Sequence, residues 1–93
     1  MMSQIPINLD KSNKIEIDQE ILRAGIIAEL DAINLYEQMA AMTNNSEIKA
    51  ILQDIAKEEK THVGEFQAML LKLDSEQVDE LTAGKNEVEE LIK

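Results

Sequence analysis

Two long stretches of this chain carry almost nothing that stops a helix. From Gln19 to about Thr43 the one breaker is Gly25, and a second unbroken stretch runs from about Glu47 to Leu73. Between them lies TNNS, a turn composition. Only three glycines and one proline occur in 93 residues, too little punctuation for a many-turned β fold. These features predict an all-α chain: an antiparallel two-helix hairpin with a short C-terminal helix. Asp18 is placed to cap the first helix, and Asn44 with Glu47 and Asp74 with Gln77 fit capping boxes. The expected helices are about 18–43, 46–73 and 75–83, with Gly84 closing the third and a frayed tail over 85–93. Residues 1–17 lack a helical period and read as an N-terminal arm.

Steps of four and three pick out an apolar stripe on each long helix. The first contains Leu22, Ile26, Glu29, Ile33, Tyr36 and Ala40. The second contains Ile48, Leu52, Ile55, Glu59, His62, Phe66, Met69 and Leu73. Each stripe is apolar except at its middle, where Glu29, Glu59 and His62 interrupt it. Counted from the turn, all three lie some 15 to 17 residues out, at roughly 23 Å, so they share one level of the hairpin.

A buried lone carboxylate is costly and tends to take up a proton. Two carboxylates and the chain's single histidine at one level fit a shared cation better. Carboxylate with imidazole suits iron, manganese or zinc, and suits calcium less. The competing reading is a polar cluster that fixes helix register. Di-iron bundles draw a Glu from each of two helices and a Glu-x-x-His from each of the other two. One hairpin of this chain supplies half of that set, and a two-fold homodimer would complete it. The thin core, with 2% aromatics, also favours a partner.

Other residues give weaker signals. Tyr36 reads as core or as a hydrogen-bond partner of a ligand. Asp31, Glu58 and Glu65 lie off the stripes near the trio, where they would guide cations or simply be solvated. Met39, Met42 and Met69 fill core gaps. The net charge of −10 disfavours nucleic acid and anionic membranes. With no cysteine, no membrane-spanning run and no leader-like start, the expected location is the cytoplasm.

The blocks IIAELDAINLYEQM and KEEKTHVGEF resemble the encapsulated ferritins, the ferritin-like cargo of encapsulin nanocompartments. The likeness covers roughly residues 18–85 and is nearest to the ferritin-like domain fused in front of the shell protein in some encapsulins. It implies a ferritin-like half-bundle domain over 18–93 that pairs with a second chain into a four-helix bundle. It also implies a ring-shaped decamer, a pentamer of dimers, held inside an encapsulin shell. In the matching positions Glu29, Glu59 and His62 correspond to ferroxidase ligands, Tyr36 to a tyrosine near that site, and Asp31 to an acid of an outer metal-access site. Ala28 stands where some members carry another access acid, and Leu35 where some carry a tryptophan. The function implied is a ferroxidase: Fe(II) oxidised to Fe(III) by O₂ or peroxide at a di-iron centre shared by two subunits, with Glu59 bridging. The alternatives are a non-catalytic helical oligomerisation module and a rubrerythrin-like di-metal peroxidase.

Overall fold

The computed structural model describes residues 14–93 and contains helices α1 (Lys14–Met42), α2 (Ser46–Leu73) and α3 (Ser75–Ile92). No strand occurs among the described residues. Helices α1 and α2 form the expected antiparallel hairpin. Partners along it run in opposite senses, from Lys60 with Glu37 at 3.1 Å, through His62 with Glu29, to Arg23 with Asp74 at 3.0 Å. Among the described residues, no helix is long and apolar enough to cross a membrane.

The turn is built by Asn45, one residue later than the expected cap. Its side-chain oxygen accepts from the backbone N–H of Glu47 at 2.9 Å and of Ile48 at 3.0 Å, satisfying two donors of the first turn of α2. Thr43 Oγ1 accepts from the Asn45 N–H at 3.1 Å and fixes the approach. At the other end of α2, Asp74 caps α3 by accepting from the Gln77 N–H at 3.0 Å, as its spacing predicted. That hydrogen bond, then the Arg23 guanidinium, holds the Asp74 carboxyl below its ordinary value. Gln19 Nε2 donates to the Leu73 carbonyl at 2.7 Å, so the start of α3 is tied back to α1 twice.

Two boundaries differ from expectation. The first helix is already formed at Lys14, so Asp18 lies inside it and is not a cap. Residues 14–17 of the expected arm are therefore helical, and its residues 1–13 lie outside the described ones. Nothing between Lys14 and Asp18 breaks a helix, and an interior Asp costs only a few tenths of a kcal/mol, roughly. The third helix runs on through Gly84 to Ile92. No glycine has positive φ, so Gly84 is an ordinary helical residue and not a cap.

The core is thin and built from small side chains: Ala24, Ala32, Ile33, Ala40, Ala56 and Leu70 are its buried members. In α2 burial follows Ala56 and Leu70, while Ile48 and Met69 of the expected stripe are each 50% exposed. The surface toward α1 is thus rotated by one residue at alternate steps. Alanines line it because they let two helix backbones approach closely. Ile48, Met69 and Leu73 of the stripe, with Ile51 beside them in sequence, are left as apolar surface that the chain itself does not cover.

Candidate metal centre

Glu29 is brought to the centre by α1, Glu59 and His62 by successive turns of α2. Because α1 and α2 leave the turn together, residues equally far from it meet. The His62 Nδ1 lies 3.3 Å from Glu29 Oε2 and 3.6 Å from Glu59 Oε1. One donor atom from each of the three falls within 4.8 Å of the other two. This is the one His, Asp, Glu group of its kind among the described residues.

Exposure is graded across the trio. The Glu29 and Glu59 side chains are 19% and 18% exposed, and His62 is 42% exposed on the open flank. Glu59 is thus the more enclosed of the two α2 donors, and His62, although in contact with Glu29, is the more open.

The electrostatics is that of crowded like charges. The Glu59 carboxyl is held above its ordinary 4.5 by a hydrogen bond to Glu29, by partial burial and by the Glu29 charge, with His62 pulling the other way. For His62, burial pulls the imidazole down, but the Glu29 hydrogen bond and the charges of Glu29, Glu59 and Glu65 outweigh it, and its net shift is upward from 6.5. Without a cation the cluster compensates by holding protons.

A pH dependence follows. Both groups have raised folded-state values, so each stabilises the metal-free fold fully below its unfolded value and loses that contribution as pH rises through the folded one. The melting temperature in the presence of chelator is therefore expected to fall from the region above pH 4.5 and again above pH 6.5. Glu59→Gln should remove the lower step and His62→Gln the upper. Circular dichroism melts across this range check it, and a flat wild-type profile would contradict the charge arrangement.

Of the other residues singled out, Glu58 and Glu65 reach the trio through their charges, on Glu59 and His62 respectively. Asp31 and Tyr36 are partly buried on α1 and lie outside the trio. The contact missed from the sequence is between Gly25 and Phe66, one turn beyond the trio on each helix. A β-carbon built on Gly25 would meet the Phe66 ring at 3.0 Å. A lone glycine inside a helical stretch was the only available signal.

The donor set fits a transition-metal ion. Two carboxylates and an imidazole are suitable donors for iron, manganese or zinc, and their donor atoms lie close enough to share one ion. Three protein donors leave the set incomplete within one chain.

Known proteins place the chain. A family model described as Rubrerythrin matches residues 20–93. The chain is 60% identical over 85 residues to a ferritin-like-encapsulin shell fusion protein of Pyrococcus furiosus, covering 91% of this chain and 25% of that protein. It is 46% identical over 56 residues to the encapsulin nanocompartment cargo protein EncC of Myxococcus xanthus, covering 60% of this chain and 43% of that one. It thus spans well under half the length of these curated relatives. Among solved structures, the encapsulated ferritin domain from Pyrococcus furiosus superposes with a TM-score of 0.85 at 55% identity, covering 99% of this chain and 94% of the other. The three-helix architecture, the matched family and this superposition agree: the chain belongs to the rubrerythrin family and is an encapsulated-ferritin-like protein.

Proposed function

We propose that the chain is one half of a ferroxidase. The observation that carries this is the meeting of Glu29, Glu59 and His62 donor atoms within 4.8 Å. Two chains joined across their uncovered faces would assemble four carboxylates and two imidazoles around two ions, the di-iron bundle set. Iron is the substrate in this reading. Two Fe(II) ions give up one electron each to O₂ or peroxide and become Fe(III).

Each residue has a part. Glu59 of each chain is shared between the two ions, and Glu29 and His62 complete the protein donors of each. Because Glu59 and His62 both hold their protons more tightly than usual, Fe(II) uptake is coupled to proton release. The remaining positions are left for the oxidant and water. No side chain is needed as a general acid or base. Glu58 and Glu65, whose charges already reach Glu59 and His62, would draw Fe(II) toward the trio, with Asp31 assigned to an outer access site and Tyr36 left without a step.

The names of the relatives extend the reading. A shell fusion protein and nanocompartment cargo proteins suggest that this domain works inside an encapsulin shell, which would receive the oxidised iron. A decamer built as a pentamer of dimers is the assembly we assign. The test is iron stoichiometry combined with mass. Anaerobic Fe(II) loading should give one iron per chain, in an assembly with an even number of chains by native mass spectrometry. An assembly of the same mass that takes up no iron would favour the purely structural reading.

A further inference from the structure

We propose that Gly25 is a positioning residue for the metal centre: its missing side chain lets the Phe66 ring lie flat on α1 and so sets the separation at which Glu29 meets Glu59 and His62. The inference rests on the ferroxidase reading for its purpose, but its geometry is independent of any ion.

Three observations carry it. A β-carbon on Gly25 would lie 3.0 Å from each of Phe66 Cδ1, Cε1 and Cζ. Equal distances to three successive ring atoms put that carbon over the face of the ring, not at its edge. The ring is therefore stacked on the α1 backbone, and a side chain at position 25 would have to displace it. The contact is also next to the centre on both helices. Gly25 precedes Glu29 by four residues, and Phe66 follows His62 by four, so each pair is one helical turn apart. Finally, Gly64 and Gly84 have open space where a β-carbon would go. The close approach is specific to Gly25.

Magnitudes decide that the effect reaches the ligands. Ordinary contact begins near 3.4 Å, so alanine at position 25 pushes the ring or the helices by at least about 0.4 Å. The His62 to Glu29 distance of 3.3 Å is already at the long end for a hydrogen bond. Ligand distances in a metal site tolerate only about 0.2 Å. To the extent that the helices and not the ring take it up, a displacement of this size one turn away exceeds that tolerance, although alanine is the better helix former.

The experiment compares Gly25→Ala, Gly64→Ala, Phe66→Leu and the double variant Gly25→Ala/Phe66→Leu. Co(II) is the probe, read by its visible absorption on anaerobic titration. A second readout is the ring resonances of His62, the only histidine, in the metal-free protein at fixed pH. Far-UV circular dichroism confirms that each variant is folded. Gly25→Ala is expected to weaken Co(II) binding by about tenfold or more and to shift the His62 signals. Gly64→Ala should leave both unchanged. The double variant, with a smaller side chain facing the new methyl, should recover most of the loss. Wild-type Co(II) affinity and unshifted His62 signals in folded Gly25→Ala overturn the proposal, as does failure of the double variant to recover. If the wild type binds no Co(II), the metal reading fails by itself, and the His62 signals still decide whether Gly25 sets the geometry.

Discussion

Glu59→Ala is expected to slow rapid Fe(II) oxidation by at least about 100-fold, the upper end of what loss of a mere supporting partner costs a metal site. Glu59 is the least replaceable of the three donors. It is held between Glu29 and His62, and its raised pKa records that the site is short of positive charge. In the proposed dimer one substitution removes two carboxylates, and those are the two assigned to both ions. Circular dichroism melts of the metal-free variant check that it is folded under the assay conditions. Lost activity then cannot be ascribed to lost folding. Asp54→Ala, which removes an exposed acid from the same helix, should oxidise Fe(II) at the wild-type rate. Stopped-flow absorbance at matched iron-to-chain ratios separates the two variants. Fast oxidation by Glu59→Ala would end the ferroxidase assignment.

The centre was legible before the fold because it depends on counting. The turn at 43–45 is marked by Thr and Asn, and equal numbers of residues to either side bring Glu29 level with Glu59 and His62 whatever the side chains between them do. The face of each helix was harder to read. A heptad stripe selects the largest apolar residues, and in α2 these include Ile48 and Met69. The single chain instead buries Ala56 and Leu70, because alanines allow the tight approach that gives α1 and α2 their contact. The small residues, with Ile33 and Leu70, close the hairpin, and Ile48, Met69 and Leu73 remain on the surface it leaves open. Helix ends were misread where a capping residue occurred without being used. Asp18 and Gly84 each have the right chemistry for an end, but the residues beyond them continue the helix. The Gly25 and Phe66 contact was invisible because no spacing rule links two residues on different helices until their rotation is known.

Leu70→Ala is expected to cost about 2–5 kcal/mol, the range for emptying a buried leucine site. Leu70 is 4% exposed and is, with Ile33, one of two large side chains in a core otherwise made of alanine. A chain of this size has about 5–14 kcal/mol of stability in all, so this one substitution removes a large share of it. The neighbouring residue supplies the contrast. Met69 belongs to the stripe that periodicity selects, but it is 50% exposed, and Met69→Ala should cost less than about 1 kcal/mol in the unassociated, metal-free chain. Urea unfolding at low protein concentration, with chelator, measures both. The order should change as chains associate. If the open face is where a second copy docks, Met69→Ala will destabilise increasingly as concentration rises, since a larger fraction of Met69 is then buried, while the Leu70→Ala deficit is already present in the single chain. An equal cost for the two variants at low concentration would mean that the hairpin buries the periodic stripe after all.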